Sequence, residues 1–387
     1  MKTKAYSENL IFFIRKLPVH LVVFFAFTGS AMAITPKEVD KSASLILQSA
    51  DNNENTYANG EFISVLKGNV TFLYDDITIR SDEATWWRNQ GIVSFRDNIK
   101  VTRDASKLTC DRMEFTKKNN ILSAMGHFHF SDTLEKTELM GDNAEYNLKT
   151  RFFQLRGNPR LIRFDTTAAE TLTITSLRMT YLDSLKRATA TDSVRIHKGK
   201  LLSKCRFAHY FTETNMAQLR INPEVIYETH KLKGDSIDLT FGKESLKKAL
   251  VIGNTYGIYA DTIKGTRDTA YTQVWGDSLQ MSISEKGNLD SLWAFGKAMS
   301  KYYVSNSADL VDEANGKRML ISFASDGNVR DFRIWGNAKS KYHIDETNSK
   351  GTNEASGDSI TVVFRKGKAV SLALSGKARG MYYPRKL

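Results

Sequence analysis

Ten short landmarks recur along the chain: Gly68-Asn69-Val70, Asp97-Asn98-Ile99, Gly126-His127-Phe128, Gly157-Asn158-Pro159, Asp192-Ser193-Val194, Ile221-Asn222-Pro223, Gly253-Asn254, Gly296-Lys297, Gly336-Asn337 and Gly376-Lys377. They lie about 30 residues apart as far as Gly253 and about 40 apart beyond it. A second landmark, a small or acidic residue read as opening a strand, stands 15 to 19 residues before the next turn at Asp82, Asp111, Asp142, Ser176, Cys205, Asp235, Asp277 and Asp358. Two landmarks in fixed phase through most of a chain mean a stacked array, because one such unit cannot bury its apolar face alone.

Within each repeat the apolar period is two. Val70, Phe72 and Tyr74 alternate with polar residues, as do Phe128 and Phe130, Phe153 and Leu155, Leu250 and Ile252, Ile321 and Phe323, and Leu372 and Leu374. Aromatic and β-branched residues at that period form half-buried strands. No segment of convincing length has a 3.6 period, and the best helical fragment is the capping-box pattern Thr35-Pro36-Lys37-Glu38. The array is therefore all-β. The organisation expected is a lead-in over 34–59, repeats of about 30 over 60–255 and repeats of about 40 over 256–387. The longer period reflects either a domain boundary near residue 255 or longer hairpin loops. The polar stretches 306–318 and 344–356, which lose the alternation, read as loops on one edge.

Lys2, Lys4, Arg15 and Lys16 precede the apolar run Leu21–Thr28, which ends at Ala31-Met32-Ala33. This is the pattern of a cleavable secretory signal peptide over residues 1–33, and the run is too short to span a bilayer. Export to the periplasm follows. The formal net charge of +12 favours a polyanionic partner, and export makes nucleic acid an unlikely one.

The arrangement Gly68-Asn69-Val70-Thr71-Phe72, Ile77 to Ala84, then Asp97-Asn98-Ile99-Lys100-Val101 resembles the OstA/LptA family of periplasmic lipopolysaccharide-transport proteins. It recurs at Gly141 to Tyr146 and at Gly157-Asn158, while Gly234-Asp235-Ser236-Ile237 and Gly357-Asp358-Ser359-Ile360 resemble the OstA-like proteins of that superfamily. The likeness runs over roughly 44–383, and 166–223 departs from it by lacking the Gly-Asp pair. The resemblance implies an elongated, repeat-built antiparallel β-jellyroll, a solenoid-like open stack, whose interior holds acyl chains while the protein bridges inner and outer membranes. Phe72, Phe95, Phe130, Phe153 and Leu155 would line that interior, with Lys or Arg at its rim meeting phosphates. The implied partners are lipopolysaccharide or a related anionic glycolipid, other Lpt-type jellyrolls paired by strand edges, and membrane complexes in peripheral contact. The alternative is a secreted structural solenoid or adhesin whose aromatics fill a dry core.

No phosphate loop, Gly-x-Ser-x-Gly elbow, Cys-x-x-Cys or His-Glu-x-x-His motif is present, so the reading is non-enzymatic, with no cofactor and no metal. His127 and His129 read as a solvated pair, because no third ligand lies nearby. The recurring Asp residues read as turn corners bonding their own backbone rather than as a calcium ladder. Cys110 and Cys205 share a phase of the repeat three units apart, too far for a disulfide, so both are expected as free thiols. The run Arg365, Lys366, Lys368, Lys377, Arg379, Arg385 and Lys386 fits either a contact with anionic lipid or a partner, or a charged edge strand that blocks end-to-end aggregation.

Overall fold

A computed structural model describes residues 45–384, apart from 75, 135, 165–170, 200, 212, 228, 242–245, 263–266, 285–286, 306–309, 326, 347–348 and 366–367. The signal peptide, the capping-box fragment and residues 34–44 of the lead-in lie outside the described residues. Contacts divide the chain into two units: residues up to Gly199 with His209–Glu213, and Lys200–Ala208 with the residues from Thr214 on.

The first unit holds β1 (Leu45–Ser49), β2 (Asn52–Ala58), β3 (Glu61–Tyr74), β4 (Ile77–Trp87), β5 (Ile92–Arg103), β6 (Ser106–Thr116), β7 (Ile121–Asp132), β8 (Thr137–Asn147), β9 (Phe152–Arg156), β10 (Arg160–Arg163), β11 (Leu172–Thr175), β12 (Arg178–Leu182) and β13 (Arg187–Lys198). Next come β14 (Leu201–Phe211), mostly in the second unit, then β15 (Met216–Arg220), β16 (Glu224–Tyr227), β17 (His230–Lys233), β18 (Ser236–Phe241), β19 (Leu246–Thr262), β20 (Thr269–Ile283), β21 (Leu289–Val304), β22 (Asp312–Phe323), β23 (Val329–Glu346), β24 (Ser349–Arg365), β25 (Lys368–Ser375) and β26 (Arg379–Pro384). The fold is an all-β, antiparallel, jellyroll-like array, as the repeats predict. A 3-10 turn at Asp183–Leu185 interrupts it, and no α-helix occurs among the described residues.

The landmarks turn out to be bends inside strands, not turns between them. At all ten, two successive residues adopt positive φ, from Gly68 (+73°) and Asn69 (+46°) to Gly376 (+66°) and Lys377 (+51°). Pairing slips at each: Lys67 faces Glu83, but Val70 faces Ser81. A two-residue left-handed bulge of this kind bends the strand. Each long strand therefore has two halves on either side of a corner, and the halves form two leaves. Where the corner interrupts the ladder, a strand is split in two, as in β9 with β10, β15 with β16 and β25 with β26.

The partner strand supplies the other half of the corner. The backbone N–H of Asp51 donates to Gly68 O (2.9 Å), that of Asp235 to Gly253 O (2.8 Å) and that of Asp358 to Gly376 O (2.7 Å). Where their side-chain bonds are seen, the carboxylates take them from the neighbouring strand, which corrects the sequence reading at Asp82, Asp111 and Asp235. Asp51 accepts from Asn69 Nδ2 (2.9 Å), Asp82 from Asn98 Nδ2 (2.6 Å) and Asp235 from Asn254 Nδ2 (3.0 Å), and His127 Nδ1 lies 2.8 Å from Asp111. A Cβ at Gly253 would collide with the Asp235 carboxylate, so glycine is needed there for clearance as well as for φ.

The same hydrogen bond shifts the second landmark by one residue in the divergent repeats. Leu177 N donates to Asp192 O (3.0 Å) and Arg206 N to Ile221 O (3.2 Å), so Leu177 and Arg206 occupy the Asp position. Ser176 and Cys205 precede it, matching Ser81 and Cys110. All four are buried on the inner face, and Ser81 and Ser176 bond the carbonyls of Glu83 and Arg178.

The 40-residue period comes from longer strands, 17 residues in β19, 15 in β20 and 16 in β21. The stretches expected as loops are also largely strand, in β22 and β24. Their inward positions are Ala314, Gly351 and Ala355, too small to register as an apolar alternation, and all three are buried.

Candidate functional site

In the first unit the inner faces of the two leaves carry the expected aromatics. Phe72 and Phe95 are 0% exposed, as is Leu155, and Phe130 is buried at 3%. Phe72 lies on the half of β3 beyond its bend and Phe95 on the half of β5 before it, so they belong to opposite leaves. Their rings meet edge to face at 5.3 Å, and Trp86 also packs on Phe72 at 5.6 Å. Tyr74 and Phe115 meet across the leaves at 5.9 Å. Phe153 is only half-buried. It packs on Phe128 at 6.3 Å and on the cluster of Tyr146 and Tyr181. Leu155 lies where a Cβ on Gly141 would collide with it, which explains the small residue there.

The five residues thus share one apolar interior but not one contact. Phe72 and Phe95 touch, and Phe153 sits in a separate aromatic cluster. Tyr146, Tyr181, Trp86 and Phe115 complete the interior and were not singled out from sequence. Their signal was present in the period of two, since Tyr146 follows buried Ala144 and Tyr181 follows buried Met179.

The far end of one leaf is basic. Its hairpin turns carry Arg88, Lys117, Lys118, Lys149, Arg151 and Lys186 on successive repeats, against the acids Glu61 and Asp183. Backbone hydrogen bonds link these turns, Lys117 N to Gly91 O (2.9 Å) and Leu148 N to Asn120 O (2.8 Å). Arg88 is drawn over the Trp86 ring at 4.1 Å and donates from Nε to Ser64 Oγ at 3.0 Å. The turns of the other leaf mix charges, and there Asp76 is paired with Arg103 at 2.7 Å. One rim is therefore an anion-attracting edge and the other is not.

Cys110 and Cys205 are free and buried. Burial pushes the Cys110 thiol up to about 12 and that of Cys205 up to about 11, so both are inert neutral side chains, not nucleophiles. His127 and His129 take separate partners. The first bonds Asp111, which raises its pKa above the usual histidine value, and the second lies 3.7 Å from Glu138. In the second unit, Glu224 is nearly buried beneath Lys233 (2.9 Å), Lys231 (3.0 Å) and Lys204 (3.5 Å).

The family described as "LptA/(LptD N-terminal domain) LPS transport protein" matches residues 49–181. This part of the chain is an OstA/LptA-like domain. The match covers β2 to β12 and so contains both the aromatic interior and most of the basic rim. The chain is also similar to the crystal structure of LptH, the LptA homologous periplasmic component of the conserved lipopolysaccharide transport device from Pseudomonas aeruginosa. Identity is 14% over 38% of this chain and 82% of that one, with a TM-score of 0.20. Comparison with curated proteins gives no match.

The first and last strands of the described residues are paired on one side. Among the described residues β1 and β2 bond only β3, and β25 and β26 bond only β24. Exposed Arg365, Lys377 and Arg379 stand at that last edge, beside exposed Val370, Met381 and Tyr382. Lys366, Arg385 and Lys386 lie outside the described residues.

Proposed function

We propose that this protein carries lipopolysaccharide or a related anionic glycolipid through the periplasm, without reaction chemistry, as an exported bridge between the inner and outer membranes. The observation that carries the reading is the pairing, inside the matched OstA/LptA-like residues, of an aromatic interior with a single basic rim. Acyl chains enter between the leaves at the half-buried rings Tyr74, Trp86 and Phe153. Phosphates meet Lys117, Lys118 and Lys149, where charge-assisted hydrogen bonds form. The open edges at β1–β2 and β25–β26 pair with strands of other Lpt-type jellyrolls, since each presents unpaired backbone groups. Contact with membrane complexes is peripheral.

A second reading, a structural solenoid with a dry core, is favoured by one observation: Phe72 and Phe95 are fully enclosed by their own neighbours. Photo-crosslinking in cells separates the two. A photoreactive residue at Tyr74, Trp86 or Phe153 captures glycolipid on the transport reading, while outward Thr71 and Gln154 do not. Lys117→Glu combined with Lys149→Glu lowers the capture. Crosslinks absent from all five positions would establish the dry core.

A further inference from the structure

The outer surface of the second unit carries a feature that transport through an interior leaves unused. On the leaf formed by one half of each strand from β19 to β25, Leu279, Ala294, Met319, Ile334 and Ile360 point inward and are buried. The alternate residues point out. Cross-strand registers place them in rows. One row runs Ile252, Ser278, Phe295, Arg318, Trp335, Ser359, and the next runs Leu250, Gln280, Trp293, Leu320, Arg333, Thr361.

Within this grid Trp293 lies parallel to Phe295 (5.6 Å, 5°) and to Trp335 (5.8 Å, 12°), with Arg318 over Trp335 at 4.9 Å. The separations are those of offset stacks, so part of each ring face stays uncovered. Phe295 is 38% exposed and Ile252 47%. Ser278, Gln280, Ser359 and Thr361 flank the rings, and among the described residues none of these four side chains has a hydrogen-bond partner. At the adjoining corners Lys297 and Lys317 are exposed, and Lys317 stands where most repeats have Asp. Asp331 does not offset them, because it is buried and paired with Arg330 and Arg333 at 2.9 Å each, whereas exposed Asp277 stands at the Gly296 corner beside Lys297.

We infer that this outward face binds a lipid-free acidic oligosaccharide. A pyranose ring has an apolar face of C–H groups that stacks on the electron-rich face of an aromatic ring. Its hydroxyls need donors and acceptors at the edge of that stack, which Ser278, Gln280, Ser359 and Thr361 supply. Its carboxylate or phosphate substituents need cations, which Lys297, Lys317 and Arg318 supply. The face is an open sheet surface whose rings alternate with polar and cationic side chains, so the occupant is a glycan and not a lipid. Cross-strand aromatic pairing also stabilises a sheet, but that role needs neither unpartnered hydroxyls nor a lysine in the Asp position.

The test uses the mature full-length chain, with tryptophan fluorescence and calorimetry as readouts. The probes are a hexameric oligogalacturonate, neutral cellohexaose and a polyphosphate chain of matching charge. The acidic hexamer is expected to change tryptophan emission saturably and to bind about tenfold or more tighter than either control. Trp335→Ala and, independently, Lys297→Glu with Lys317→Glu are each expected to weaken it by about tenfold, with the strand circular dichroism unchanged. Should Trp335→Ala unfold, the lysine pair and Arg318→Gln, all at exposed positions, serve in its place. Absence of saturable binding, equal binding of polyphosphate, or folded variants that bind like the parent would each overturn the assignment. Crosslinking in the first unit is unaffected by any of these outcomes.

Discussion

If the corner is what holds each repeat in register, Gly253 and Asp235 should not contribute independently. Gly253 has φ +72°, and a Cβ there would run into the Asp235 carboxylate, which accepts from Asn254 Nδ2 at 3.0 Å. Gly253→Ala therefore places alanine in the left-handed region, worth about 1–2 kcal/mol. It also displaces Asp235 from Asn254, worth about 1 kcal/mol for one hydrogen bond. The single variant should lose roughly 2–3 kcal/mol in total. Asp235→Ala alone removes the hydrogen bond and should lose about 1 kcal/mol. In the double variant the collision is gone and the hydrogen bond can be lost only once, so the effect should fall short of the sum by about 1 kcal/mol. Because an array of repeats opens locally, the readout is native-state hydrogen exchange at the Asp235 amide, which donates to Gly253 O, alongside urea unfolding. Additivity within about 0.5 kcal/mol would refute the coupling of the two landmarks.

Glu224→Gln tests the buried carboxylate. Burial raises its pKa, but hydrogen bonds from Lys233 and Lys231 outweigh that and hold it at about 2, below the ordinary 4.5. A depressed folded-state value stabilises above the unfolded value, so the variant should be less stable by about 1–3 kcal/mol at pH 7. That gap should close as pH falls from 4.5 to about 2, and a gap independent of pH would contradict the assignment. Both thiols should resist alkylation at pH 8 in the native chain and react fully, without reductant, once it is unfolded; early reaction of Cys110 would mean that β6 opens locally. Phe95→Ala should cost about 3–5 kcal/mol, as for a fully enclosed ring, and a smaller loss in chemical denaturation would indicate an interior that collapses or hydrates. Far-UV circular dichroism of the mature chain should be dominated by strand, and helix above about a third of residues, the share in an ordinary globular protein, would contradict the fold.

The strand class, the repeat and the buried side of the first unit's strands were legible in the sequence because all three are periodic and local. In β19, by contrast, the alternation of Leu250 and Ile252 marks the outward side, and Ala249 and Val251 are the buried residues. Val70, Phe72 and Phe95 declare their face through a period of two, and ten landmarks declare the stacking. The landmarks' role was not legible. Gly-Asn suits a hairpin turn and a mid-strand bulge equally well, since both need positive φ, and only the pairing of Lys67 with Glu83 and Val70 with Ser81 shows the bend. For the same reason Asp235 could be read as bonding its own backbone, whereas its partner, Asn254, is 19 residues away. The first halves of β22 and β24 read as loops because Ala314, Gly351 and Ala355 face inward there, and hydrophobicity does not report a small buried residue. Which inward aromatics meet, Phe72 with Phe95 and Phe153 with Phe128, depends on how two leaves fold across a corner. That distance is not written in any single strand, and neither is the outward cluster of Trp293 and Phe295 on β21 with Trp335 on β23, which exists only once the registers through β22 are set.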